Sequence, residues 1–140
     1  MYNSRRRPIP LAIDTSAVLA VLLNETSRPA LVAAVRGASL VGAPSLPWEV
    51  GSALVAAVRR QRLTPAEART AWASYARIPV RLAEIDVAQA LVLAASQHLR
   101  AYDAYVLQAA RTEGASLLTL DGALARAART IGLAVLELPA

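Results

Sequence analysis

Leu11-Ala12-Ile13-Asp14-Thr15-Ser16-Ala17-Val18-Leu19-Ala20 passes from a short apolar run, through a single acid, into a segment of helical period. A run this short and this apolar reads as a strand buried on both faces, so Asp14 falls at its carboxyl end, just before a helix carrying Val18, Leu19 and Leu22. Leu117-Leu118-Thr119-Leu120-Asp121 repeats the arrangement near the other end of the chain. In open α/β sheets the carboxyl ends of the strands border the ligand crevice, so acids from two separate strands can meet there.

The same alternation runs along the whole sequence. Strands are expected at Pro10 to Ile13, Ser39 to Val41, Val80 to Glu84, Ser116 to Leu120 and Ala134 to Leu138. Helical segments are expected from about Ser16, Arg28, Pro47, Pro65, Val87, Ala104 and Ala123, several opened by Ser, Thr, Asp or Pro. Gly37, Gly114 and Gly132 follow helical runs, as C-terminal caps do, and each soon gives way to an apolar strand. The pattern predicts one α/β domain with a central, mainly parallel, five-stranded sheet flanked by helices. At 140 residues there is room for a single domain, expected over 10–140, behind a basic and poorly ordered extension at 1–9.

Composition narrows the chemistry. Cysteine is absent, all 15 basic residues are arginine, and His98 is the one histidine, which excludes thiol chemistry, a Schiff-base lysine and a P-loop lysine. His98 lacks any residue to pair with as a base, and a structural or surface role is expected for it. Carboxylates remain. Besides Asp14 and Asp121, Glu49 lies in the first turn of the helix near Pro47, and Asp103 opens Ala104-Tyr105-Val106-Leu107-Gln108. Each of these acids alone could be a helix cap or a dipole partner. Four at one end of a predicted sheet repel one another unless a hard cation joins them, which points to Mg²⁺ or Mn²⁺. Thr15, Ser16 and Thr119 carry hydroxyls able to orient a carboxylate or a water. Asp86 and Glu67 read as helix-start residues, and the remaining acids as solvated.

The formal charge of +5 and a pI near 10.7 suit a polyanionic partner such as nucleic acid. The hydrophobic fraction of 56%, with a mean hydropathy of +0.40, suggests an apolar surface covered by another chain. Arg59-Arg60-Gln61-Arg62 reads as a dipole-complementing helix end that could also touch phosphates, and Trp72 and Tyr75 as packing. Tyr102 and Tyr105 flank Asp103, where a supporting role is conceivable. Ser4-Arg5-Arg6-Arg7 before an apolar stretch imitates a twin-arginine export signal, but Asp14 interrupts the apolar core and no small-residue cleavage site follows. No apolar stretch reaches the roughly 18 residues that span a bilayer, and a cytoplasmic protein is expected.

Ala12-Ile13-Asp14-Thr15-Ser16-Ala17, Pro47-Trp48-Glu49-Val50, Ala101-Tyr102-Asp103-Ala104 and Leu118-Thr119-Leu120-Asp121 together resemble the four acidic motifs of PIN-domain ribonucleases, and more narrowly VapC-type toxins. The resemblance runs from Leu11 to the end, with the motifs in the expected order. It implies a PIN-like three-layer domain and RNA cleavage assisted by Mg²⁺, with Mn²⁺ as a substitute. Asp14 and Asp103 are then the principal metal ligands, with Glu49 and Asp121 completing the set directly or through water. It also implies a homodimer neutralised by an antitoxin whose C-terminal segment occupies the groove. The alternative within the family is a PIN domain acting in RNA processing, or one that only binds RNA. A haloacid-dehalogenase-type phosphatase lacks its second Asp, because Ser16 stands two residues after Asp14, and it shares with a response-regulator receiver the want of a lysine.

Overall fold

The computed structural model describes residues 8–139, so most of the expected basic extension, Arg5-Arg6-Arg7 included, lies outside the described residues. Four parallel strands form the sheet: β1 (Pro10–Ile13), β2 (Ser39–Gly42), β3 (Val80–Leu82) and β4 (Ser116–Leu118), in spatial order β3-β2-β1-β4. Seven helices connect or follow them: α1 (Thr15–Leu22), α2 (Arg28–Val35), α3 (Leu46–Arg59), α4 (Pro65–Ala76), α5 (Val87–Gln97), α6 (Ala101–Glu113) and α7 (Gly122–Thr130).

The period of two in the strands sorts the core into two halves. Leu11 and Ile13 of β1 join Leu40 and Leu118 on one face, packed against Val18, Leu31, Val50, Leu54 and Tyr75 of α1 to α4. Ala12 turns the other way with Val41 and Leu117, against Leu93 of α5, Leu107 of α6 and Leu124 of α7. The registers Leu11↔Leu40, Ala12↔Val41, Ala12↔Leu117 and Ile13↔Leu118 keep each face continuous. Helices therefore cover both sides of a parallel sheet, the three-layer arrangement that such runs require.

The sheet has four strands where the sequence suggested five. The segment expected at Ala134 to Leu138 contributes one parallel bridge, Val135 to Leu117, through the Leu117 amide to the Ala134 carbonyl (2.9 Å) and the Leu136 amide to the Leu117 carbonyl (2.8 Å). The reason lies in β4, which ends at Leu118, so that Thr119 and Leu120 leave the ladder. Only three residues remain to pair with. β3 likewise closes at Leu82, with Arg81 and Leu82 exposed.

Punctuation follows side-chain chemistry at most ends. Thr64 and Glu67 form a reciprocal capping box on α4, and Asp86 caps α5 by accepting from the Gln89 amide. Gly37, Gly114 and Gly132 have φ of +76°, +60° and +84°; at Gly114 this closes α6 in the left-handed conformation that a side chain resists. His98 holds the same conformation at the end of α5, with φ +54°. α6 departs from expectation by starting at Ala101, three residues before Ala104, so Asp103 lies in its first turn and does not cap it.

Candidate active site

From β1 the chain moves outward to β2 and β3, then returns to place β4 on the opposite side of β1. The switch point therefore falls between β1 and β4, and their carboxyl ends deliver Asp14 and the Thr119–Asp121 loop to one place. Asp14 is buried at 6% exposure, a burial that among the described charged or polar residues only Ser45 shares.

Three donors hold the Asp14 carboxylate. Ser16 Oγ donates to Oδ1 at 2.7 Å, the Ala17 amide donates to Oδ1 at 3.1 Å, and Thr119 Oγ1 donates to Oδ2 at 2.7 Å. The hydroxyls are aimed from behind: the Leu120 amide donates to Ser16 Oγ at 3.0 Å and the Asp121 amide to Thr119 Oγ1 at 3.0 Å. Each hydroxyl has one proton, and that proton is committed to Asp14 because the backbone occupies its acceptor side. Ser16 Oγ and Thr119 Oγ1 lie 3.2 Å apart, so the two arms of the clamp touch.

The other acids arrive from three helix starts. Glu49, half-buried in the first turn of α3, accepts from Ser45 Oγ at 2.7 Å. Asp103 projects from the first turn of α6. Asp121 caps α7, its Oδ1 accepting from the amides of Ala123 (2.9 Å) and Leu124 (3.2 Å). Thr15 Oγ1 is buried without a hydrogen-bond partner, and sits near enough to Glu49 to favour its ionised form.

Electrostatics ties these groups together. Burial is the largest influence on Asp14 and raises its pKa; hydrogen bonds from Thr119, Ser16 and Ala17 oppose it, and the Asp121 charge adds to it. Glu49 is pushed up first by burial, with Ser45 opposing and the charges of Asp103 and Asp14 contributing. Asp103 is pushed up by burial and by Asp121 and Asp14, against a lowering by Arg100. Asp14, Glu49 and Asp103 thus each feel the charge of at least one other acid of the set. Among the described residues the ion pairs are Arg81–Glu113 at 2.8 Å and Arg129–Glu137 at 3.0 Å, so none of the four has a basic partner at contact distance.

Negative charge in excess, held at four carboxylates with a free hydroxyl beside them, fits an oxygen-seeking divalent cation. Among the described residues no three acids converge on one ligating point as placed.

Arg59, Arg60 and Arg62 stand apart. They are exposed at the far end of α3, about 15 Å along the axis from Glu49 to Arg59 at ~1.5 Å per residue. Tyr75 is buried, and Trp72 packs on it with ring centroids 5.2 Å apart. Trp48 is the residue that sequence reasoning passed over: it precedes Glu49, is 77% exposed, and lines a cleft with Glu49, Thr15 and Tyr102. Its adjacency to an acid was visible, whereas its exposure depends on how α3 packs.

No curated protein matches the sequence. Among solved structures the chain is similar to PAE2754 from Pyrobaculum aerophilum, at 21% identity and a TM-score of 0.69 over 85% of this chain and 84% of that one. It is also similar to Mycobacterium tuberculosis VapC20, described as a sarcin-ricin loop cleaving toxin, at 17% identity and a TM-score of 0.65 over 91% and 98%. FitAcB from Neisseria gonorrhoeae matches at 16% identity and a TM-score of 0.64 over 91% and 96%. At such identities the likeness is one of fold. The family model for the PIN domain, a nuclease family, matches residues 11–130, which takes in all four acids and every strand but the first residue of β1; the chain belongs to the PIN domain family.

Proposed function

We propose that this PIN domain is a metal-dependent endoribonuclease of the toxin type, held in check by a cognate antitoxin protein and active as a cytoplasmic homodimer. The observation that carries the nuclease part is the set of mutually repelling carboxylates of Asp14, Glu49, Asp103 and Asp121, with no basic partner at contact distance among the described residues. The toxin part is supported by overall likeness to VapC20, described as a sarcin-ricin loop cleaving toxin, and by near-complete mutual coverage with it.

Asp14 and Asp103 are the principal holders of Mg²⁺ or Mn²⁺ in this reading, with Glu49 and Asp121 contributing directly or through water. A bound divalent ion supplies screening of the phosphate charge and a lowered pKa for an attacking water. The protein's own part is positional. Ser16 and Thr119 fix the Asp14 carboxylate with donors that are themselves fixed by the backbone, so little reorganisation is left for the moment of reaction. Ser45 keeps Glu49 turned inward, and Thr15 Oγ1 leaves an uncommitted hydroxyl beside it. Asp14, Glu49 and Asp103, each raised first by burial, favour a protonated, inactive state at low pH, and a bound cation would stabilise their ionised forms.

The test is cleavage of total cellular RNA by purified protein with Mn²⁺, with EDTA, and with Asp14→Asn. Discrete fragments that vanish in EDTA and in the variant are expected. Fragments that persist in EDTA overturn metal dependence, and intact RNA under all conditions leaves a PIN domain that only binds RNA.

A further inference from the structure

We infer that Trp48 and Tyr102 form a platform on which an unpaired RNA base stacks, one nucleotide from the phosphate that reaches the acids; the inference rests on the ribonuclease reading above. The two aromatics come from different elements, the first turns of α3 and α6, yet line one cleft of about 360 Å³, near the lower end of the range for small-molecule sites of roughly 300–1,000 Å³. Each is the residue immediately before a site acid: Trp48 before Glu49, Tyr102 before Asp103. Both are open to solvent, at 77% and 56% exposure, an expensive placement for large rings.

Ser52, Ala53 and Ala56 lie on the same face of α3 as Glu49, one turn and two turns along, and their small side chains line the cleft beside the two aromatics. Tyr102 is braced by Tyr105, ring centroids 5.8 Å apart and edge to face, so its orientation is set before anything binds. Glu49 and Thr15 also line the cleft, which makes it continuous with the acid cluster. Exposed Arg100, two residues before Tyr102, acts on Asp103 and has no ion-pair partner at contact distance among the described residues, so a cation is at hand for a neighbouring phosphate. Aromatic rings beside a phosphate-binding centre suit single-stranded nucleic acid, because every base offers a π face.

Base–aromatic stacking makes loss of the ring cost roughly 5- to 150-fold in affinity. The experiment measures anisotropy of a fluorescein-labelled, mixed-sequence single-stranded RNA in EDTA, with wild type, Trp48→Phe, Trp48→Leu and Tyr102→Leu, alongside Mn²⁺ affinity and melting temperature for each. Stacking predicts that Trp48→Phe binds close to wild type, that both Leu variants bind at least fivefold more weakly, and that Mn²⁺ affinity and melting are unchanged. It predicts too that the same RNA annealed to its complement loses the difference between Phe and Leu. Wild-type affinity in Trp48→Leu overturns the platform, as does equal loss in the Phe and Leu variants, which would mark a protein-docking or structural residue. Wild-type protein that neither binds the RNA nor cleaves it with Mn²⁺ overturns the ribonuclease reading beneath it.

Discussion

At the residue scale the decisive feature is a buried carboxylate with three hydrogen bonds and, among the described residues, no counter-ion. Hydrogen bonding lowers the pKa of Asp14, but burial outweighs it, so the group is raised overall. Glu49 and Asp103 are raised for the same leading reason. A carboxyl group raised in the folded protein stays protonated where the unfolded chain has ionised. Its stabilising contribution is therefore full below the ordinary carboxylate range, near pH 4, and is lost as pH rises through the higher folded values. Asp14→Asn removes that loss while fitting the site. Oδ1 continues to accept from Ser16 and Ala17, the new amide donates to Thr119 Oγ1, and the Thr119 proton turns to Ser16 at 3.2 Å. In EDTA near neutral pH the variant should be more stable than wild type by about 1 kcal/mol, or ~3 °C in melting temperature, the gap closing toward pH 4. Thermal melts across that range check it, and a variant that melts below wild type at neutral pH contradicts the charge argument. The acids, Ser16 and Thr119 were all visible in the sequence as candidates. The direction of the clamp was not, because it depends on backbone amides of Leu120 and Asp121 that only the turn after β4 aims.

At the element scale, position follows from where helices start. The sequence placed β1, β2 and the beginnings of β3 and β4 because continuous apolar runs buried on both faces leave little ambiguity. It misplaced the start of α6, since Asp103 has the chemistry of an N-cap. Packing of Leu107 and Ala110 in the core beneath the sheet, with Ala104 also buried, carries the helix back to Ala101, with Arg100 as a cap that makes no side-chain bond. The consequence is functional, because Asp103 is not spent on capping. The fifth strand failed for an equally local reason: the turn that brings Thr119 to Asp14 removes the residues against which Ala134 to Leu138 would pair. α3 is placed by a close approach at Gly42, where an added Cβ would meet Leu46 Cδ2 at 2.6 Å and Val80 Cγ1 at 3.2 Å. Leu46 is buried and opens the helix that bears Trp48 and Glu49. Gly42→Ala should cost about 1–3 kcal/mol, a fall of roughly 3–9 °C in melting temperature, and should reduce RNA cleavage as α3 is displaced. Unchanged melting would mean that Leu46 yields freely and that Gly42 does not set the position of α3.

At the scale of the whole molecule, a basic chain encloses an acidic centre. In the proposed function, the +5 formal charge draws RNA toward a site whose own carboxylates repel it, and a bound cation resolves the conflict. Among the described residues no helix is long and apolar enough to cross a membrane. Exposed Val87, Leu91 and Val92 cluster on α5, at 49%, 53% and 67%, an apolar face in keeping with the homodimer proposed here. Light scattering at micromolar concentration should return twice the 14.7 kDa chain mass, and Leu91→Asp should shift it toward the monomer; a monomeric wild type contradicts that proposal.

The central claim is that four acids from separate elements act as one cation site. Its most direct test is isothermal titration of Mn²⁺ into wild type, Asp103→Asn and Glu49→Gln, with RNA cleavage measured on the same preparations. The account predicts weakening of about tenfold or more in Asp103→Asn together with loss of cleavage, and a smaller loss of affinity in Glu49→Gln. An Asp103→Asn protein that binds Mn²⁺ and cuts RNA as wild type does would contradict it.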